Sequence, residues 1–254
     1  MKAKPLAGLS ILITRPKHQA ESLSLMLKKL GAKTLLFPTL LIKPLHETPE
    51  IQTFLKKITH YNFAIFVSAN AVIPLPAIDS LKIIAIGPGT ANALKKNNIH
   101  VDFIPNLYNS EGILALPALQ NIKNKSIAIF CGKNSKPLLK DNLIQRGATV
   151  DEIVCYRREC PTITNNELKS LRSKPINLII TTSKESLQNL TKVFPLSSDQ
   201  WIYKKHLLVI SESMAELAHE MGFVSKVIIA KNATDQAIVD TLTNDVTRSQ
   251  ICVK

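Results

Sequence analysis

Hydroxyl, amide and ammonium groups recur at one kind of place in this sequence, the end of an apolar run. Four such sets are Thr14-Arg15, Thr182-Ser183-Lys184, Ser211-Glu212-Ser213 and Asn232-Ala233-Thr234. Four more are Ser68-Ala69-Asn70, Gly87-Pro88-Gly89-Thr90, Asn109-Ser110 and Gly132-Lys133-Asn134-Ser135-Lys136. The sets are rich in donors and poor in acids, which suits recognition of carboxylates or phosphates. Ser, Thr and Asn are also the ordinary caps of helix starts, so each has a plain structural reading beside the functional one. Tyr156, in "VCYRREC", is one of four tyrosines. A phenol there can donate a hydrogen bond to a leaving oxygen, or simply pack at a seam between domains.

Sharper chemistries fail on spacing. Gly87-Pro88-Gly89 starts like a dinucleotide fingerprint, but Asn92 stands where the third small residue belongs and no acid follows at the required distance. There is no phosphate-binding GxxxxGK[ST] phrase and no GxSxG elbow. Ser68, Ser183 and Ser211 have no evident His partner, which argues against nucleophilic catalysis. No carboxylate pair suggests acid-base work; Glu212 is a lone acid beside a helix start. Cys131, Cys155, Cys160 and Cys252 show no metal spacing, and the six histidines are scattered. Free thiols and no metal site are the expectation.

These sets need elements to hold them. The apolar runs Ile11–Ile13, Ala64–Val67, Ile83–Ile86, Ile127–Phe130, Leu178–Ile180, Leu207–Ile210 and Val227–Ala230 are continuous. Such runs read as strands covered on both faces. Amphipathic stretches lie between them; one carries Leu23, Met26, Leu27 and Leu30, with Gly31 as its stop. Strand-helix alternation predicts parallel sheets with right-handed crossovers. In such sheets ligands bind beyond the carboxyl ends of the strands, where helix N-termini offer free N–H groups.

The chain also repeats itself. "NFAIFVSANAV" from Asn62 is echoed by "NLIITTSKESL" from Asn177, and "KIIAIGPGTANALKKNNI" by "HLLVISESMAELAHEMGF". "ILITRP…LGAKTLLFP" matches "IAIFCGKNS…RGATVDEIV", and "NSEGILALPAL" matches "NATDQAIVDTL". The copies are displaced by 115 to 124 residues (177 − 62 and 206 − 82). That period means duplicated domains, and two five-stranded, doubly wound units account for 254 residues. The extended stretches after Pro38 and Val154 hold equivalent places. A chain that crosses out and back would give one domain from 1–40 with 160–254 and another from 45–155. Residues 40–45 and 155–160 would be the crossings. Sequence pattern alone leaves a simple division near 125 equally open.

Composition bounds the partners. The 45% apolar content supports a sizeable core, and no run is long enough to span a bilayer. The N-terminal stretch lacks a cleavage site before Arg15-Pro16, so a cytoplasmic address is expected. The formal charge is +13, from 32 basic and 19 acidic residues. A basic surface attracts polyanions. The basic residues are dispersed, aromatics are 5%, and no nucleic-acid motif is visible, so no nucleic-acid partner is expected.

Taken in order, "ILITRP", Pro38, "FVSANAV", "IAIGPGTANAL", "LPALQNIKNKSIAIFCGKNSKPLLKDNLIQRGATVDEIVCYRR", "IITTSKESL", "LLVISESMAELAHEMGF" and "NATDQAIVDTL" resemble uroporphyrinogen-III synthases of the proteobacterial type. The resemblance covers nearly the whole chain. It implies two similar flavodoxin-like α/β domains, joined by a two-stranded hinge in the interleaved manner above. It implies a cytoplasmic enzyme of haem biosynthesis, monomeric and without cofactor. Such an enzyme closes linear hydroxymethylbilane to uroporphyrinogen III, inverting ring D and losing water, in the cleft between domains. The family's tyrosine falls on Tyr156 and the threonine of its "GPxT" phrase on Thr90. Substrate contacts are expected from Thr14, Arg15, Ser68, Asn70, Gly87, Thr90, Gly132, Lys133, Lys136, Thr182, Ser183 and Ser211. Two departures stand out. The usual "RGxGGR" reads Cys131-Gly132-Lys133-Asn134-Ser135-Lys136, and Met214 replaces the hydroxyl in "SESM". The substrate's four acetates and four propionates suit a basic, amide-rich site. The alternative reading is a non-catalytic two-lobed binder of an anionic small molecule.

Overall fold

Strands and helices alternate along most of the chain, and the apolar runs become strands. In this computed structural model residues 4–45, 47–77 and 80–248 are described. Cys252 and the end of the C-terminal tail lie outside them. The chain divides into two units, residues 1–41 with 159–254, and 42–158.

The first unit holds strands β1 (Ser10–Ile13), β2 (Lys33–Leu36), β8 (Leu178–Ile180), β9 (His206–Val209) and β10 (Val227–Ile229). Their order is β10-β9-β8-β1-β2, and all the pairings are parallel. One face carries α1 (Lys17–Lys29) and α9 (Asp235–Arg248), packed on Ile11, Ile13, Leu178 and Ile180. The other carries α6 (Asn165–Arg172), α7 (Lys184–Val193) and α8 (Glu212–Glu220), packed on Leu12, Ile179 and Leu207. Alternate residues of one strand therefore enter different cores. This is why the runs are continuously apolar; each buried Leu or Ile contributes about 1.5–3 kcal/mol.

The second unit has β3 (Leu41–Pro44), β4 (Phe63–Phe66), β5 (Lys82–Ala85), β6 (Ser126–Gly132) and β7 (Thr149–Glu159), in the order β3-β7-β6-β4-β5. Helices α2 (Pro49–Lys56) and α3 (Pro88–Lys96) cover one face with Phe54 and Leu94. Helices α4 (Ser110–Leu114) and α5 (Leu138–Gln145) cover the other with Ile113 and Leu143.

The repeat read from the sequence maps onto both sheets. The row β2-β1-β8-β9 of one unit corresponds to β7-β6-β4-β5 of the other, strand for strand. The asparagines that open the repeated phrase share one structural task. Asn62 accepts from the Ser126 N–H at 3.0 Å, and Asn177 from the Ser10 N–H at 2.8 Å. Each side chain satisfies the first amide of the neighbouring strand. Helix ends repeat too. At the end of α1 the Ala32 N–H donates to Leu27 and the Gly31 N–H to Lys28, with Gly31 at φ 99°. This left-handed ending favours glycine. The end of α3 makes the same bonds with Asn98 at φ 58°.

Candidate functional site

The carboxyl edge of the second sheet is built around an irregularity. Parallel pairing of β6 with β7 runs from Ser126↔Thr149 to Cys131↔Val154, then slips so that Gly132 lies opposite Tyr156. The slip turns the Tyr156 ring onto the glycine. A Cβ added at Gly132 would stand 2.6 Å from the phenol Cζ and 2.9 Å from its oxygen, inside van der Waals contact. The Lys133 N–H donates to the Tyr156 carbonyl at 2.8 Å and holds the register. Tyr156 is 3% exposed, yet it lines a cavity of about 300 Å³ with Gly132, Lys133, Lys136, Ser110 and Arg158. Arg158 lies two residues on, so strand alternation puts it on the same face as Tyr156. Its Nη2 donates to the phenol oxygen at 3.4 Å.

The other expected residues of this unit stand at neighbouring strand ends. Ser68 follows β4 and its Oγ accepts from the Asn70 N–H at 3.2 Å. Gly87 precedes α3 in extended backbone, under the ring of Tyr108, and Thr90 is buried in the first turn. These four do not line the Tyr156 cavity; their neighbours Val67 and Ile86 do.

In the first unit the expected residues lie at the ends of β1, β8 and β9. Thr14 is fully buried and its hydroxyl donates to the Ile180 carbonyl at 3.0 Å. Arg15 is 6% exposed. Its Nε donates to Thr182 Oγ1 at 3.0 Å, Nη1 to Asp235 Oδ1 at 2.6 Å, and Nη2 to the Ala233 carbonyl. The structure thus brings Arg15 and Thr182 together, with the guanidinium engaged by its own unit. Ser183 caps α7, accepting from the Ser186 N–H at 3.0 Å. Ser211 precedes α8 and meets Ser213 Oγ at 3.2 Å.

One distinction sorts these hydroxyls. Ser68, Ser183 and Thr182 accept bonds from N–H groups, and the phenol of Tyr156 accepts from Arg158. An accepting hydroxyl keeps its own proton for a bound anion. The Thr14 hydroxyl hydrogen is already committed to the Ile180 carbonyl.

A family model described as uroporphyrinogen-III synthase HemD matches residues 21–240. The chain belongs to the uroporphyrinogen-III synthase family. The uroporphyrinogen-III synthase of Salmonella typhimurium is 31% identical over 247 residues, covering 92% of this chain and 100% of that protein. That of Escherichia coli is 30% identical over 249 residues, with coverage of 92% and 100%. Among solved structures, uroporphyrinogen-III synthetase from Helicobacter pylori superposes with a TM-score of 0.61 at 18% identity, covering 95% of this chain and 100% of that one. A mutant uroporphyrinogen III synthase from Thermus thermophilus gives 0.60 at 17%, with the same coverage. These two share the fold, mixed α/β with parallel sheets. As a member of the synthase family the chain is a cyclising lyase of tetrapyrrole biosynthesis.

The departures from the synthase phrases have local explanations. Asn134 takes φ 64°, where the family phrase has glycine. Asn is among the residues other than Gly that best tolerate this region. Met214, which replaces the hydroxyl, is 2% exposed and packs in the core with Leu187 and Leu207. Around the Tyr156 cavity Glu152 accepts from Ser135 at 2.8 Å and Lys140 at 2.9 Å. Burial pushes the Glu152 carboxyl up, and these bonds more than offset it, holding it below the usual carboxylate range. The bond to Glu152 and its charge raise Lys140 above the ordinary lysine range. Lys140 is therefore neutralised locally; Lys133, Lys136 and Arg158 also line this wall. Arg158 was not among the expected site residues; its spacing of two from Tyr156 was the available signal. Among the described residues no group of three or more His, Cys, Asp or Glu could hold a metal ion, and no helix is long and apolar enough to cross a membrane.

Proposed function

We propose that the chain closes hydroxymethylbilane to uroporphyrinogen III with inversion of ring D, and that Tyr156 assists departure of the terminal hydroxyl. The observation that carries this is the phenol of Tyr156, set over Gly132 on a cavity edged by Lys133, Lys136 and Arg158. The phenol keeps a proton to donate, and the cations suit a substrate of many carboxylates. Backbone N–H groups and the hydroxyls of Ser68, Thr182, Ser183 and Ser211 take further carboxylates, with Asn70, Gly87 and Thr90 shaping the strand ends. Arg15 holds Thr182 through its Nε, and Thr14 ties the ends of β1 and β8 together.

The reaction asks little of acid-base strength. Loss of the hydroxyl gives a reactive azafulvene, and closure to the unrearranged isomer needs no enzyme. The work is positional: ring D must attack through its substituted carbon and pass through a spiro intermediate.

In this reading each unit is flavodoxin-like, with domains 1–40 plus 160–254 and 45–155. Residues 40–45 and 155–160 are the hinge. The enzyme works as a cytoplasmic monomer without cofactor or nucleic-acid partner. The test supplies freshly made hydroxymethylbilane, oxidises the product and separates the porphyrin isomers. Isomer III is expected in excess. Mostly isomer I, with tight binding of the bilane, would instead establish a non-catalytic binder.

A further inference from the structure

We propose that Arg158 is a positioning residue that makes Tyr156 a proton donor, an inference that rests on the role given to Tyr156 above. The Arg158 guanidinium carbon lies 5.7 Å from the centre of the Tyr156 ring, and its Nη2 donates to the phenol oxygen at 3.4 Å. A guanidinium has donors only. The phenol must therefore accept from it, and its own O–H is turned elsewhere. On its other side the ring packs over Gly132, so closely that an added Cβ there would stand 2.6 Å from Cζ. Both residues line one cavity, where a substrate oxygen can accept from that O–H.

The chemistry that follows balances. The hydroxymethyl C–O bond breaks and its electron pair leaves with the oxygen. The phenolic proton joins that oxygen, and water departs. The substrate is left as a cationic azafulvene and Tyr156 as a phenolate facing a fixed positive charge. The guanidinium stabilises that phenolate, an effect present only once the proton has moved. When ring D regains its aromaticity, the proton it releases returns to the phenolate, and the net loss is water.

The closing experiment is a double-mutant cycle on the full chain with fresh hydroxymethylbilane. Arg158→Gln, Arg158→Lys, Tyr156→Phe and the Tyr156→Phe/Arg158→Gln pair are compared for kcat, KM and isomer ratio. Arg158→Gln is expected to lower kcat on the order of tenfold with KM changed less than about twofold. Arg158→Lys should recover part of the loss. In the Tyr156→Phe background Arg158→Gln should cost no more than about twofold, because its effect passes through the phenol. Equal losses in both backgrounds, or an unchanged kcat in Arg158→Gln alone, would overturn the inference. A full-rate Tyr156→Phe enzyme is a separate result: it removes the role of the phenol itself and this inference with it.

Discussion

The ring of Tyr156 lies across Gly132, the residue opposite it after the slip in β6–β7 pairing. No side chain fits at residue 132 while the phenol stays where it is, because the nearest ring atom is 2.6 Å from a Cβ built there. The obstacle is a rigid ring on a sheet strand, not the end of a flexible chain.

Gly132→Ala is therefore expected to fold and to misplace the phenol. Displacement of a catalytic group by about 1 Å costs roughly 100-fold, so a fall of about 10- to 100-fold in kcat is expected. Overpacking should cost about 1–3 kcal/mol of stability. Steady-state kinetics and a urea melt check the two parts.

Arg15→Met should destabilise the first unit. It removes three bonds and leaves Asp235, whose side chain is 25% exposed, without its partner. Breaking such a pair from one side costs about 3 kcal/mol, less whatever water recovers at Asp235. Hydrogen exchange should speed up at the start of α9 and at the end of β8. Unchanged exchange there would remove Arg15 as the tie between them.

The duplicated asparagines give a matched pair of tests. Asn62→Ala and Asn177→Ala each strip a partner from a strand-opening amide, Ser126 in one unit and Ser10 in the other. A loss of about 1–3 kcal/mol is expected in each. Similar losses in urea unfolding would show that the repeat preserved the energetics as well as the letters.

The carboxyl of Glu152 is held below its ordinary range by Lys140 and Ser135. A depressed acid stabilises the fold above its unfolded pKa of about 4.3, and that contribution fades as pH falls through the lower folded value. With the pair partly in water the effect should stay below about 1 kcal/mol. Urea midpoints of wild type and Glu152→Gln should differ at pH 7 and converge as pH falls below about 4.

Thiol reactivity should follow burial. Burial, with the neighbouring Cys131 charge, pushes the Cys155 thiol up to about 12, and burial also raises Cys131. Cys160 is exposed. Brief alkylation of the native protein near pH 8, followed by peptide mapping, should find Cys160 modified and Cys131 and Cys155 untouched.

Much of the framework could be read from letters because its causes are local. Continuous apolar runs such as Ile11–Ile13 and Leu178–Ile180 became two-sided strands, since alternate residues must enter cores on both faces. Gly31 ended α1 because a left-handed residue is needed where the last carbonyls turn back. The repeated phrases carried the correspondence between strands of the two sheets, as they encode the same packing twice.

The chemistry was decided elsewhere. Arg15 reads as a free cation at a strand end, but folding brings it to Asp235, 220 residues away, and local pattern carries no trace of that partner. The slip that sets Tyr156 over Gly132 belongs to the pairing of two strands and to neither alone. The sequence by itself determined which residues form strands, caps and turns, because those preferences act over a few neighbours. Only the tertiary structure decided which hydroxyls keep a proton to give, because a donor's direction depends on whatever the rest of the chain places against it.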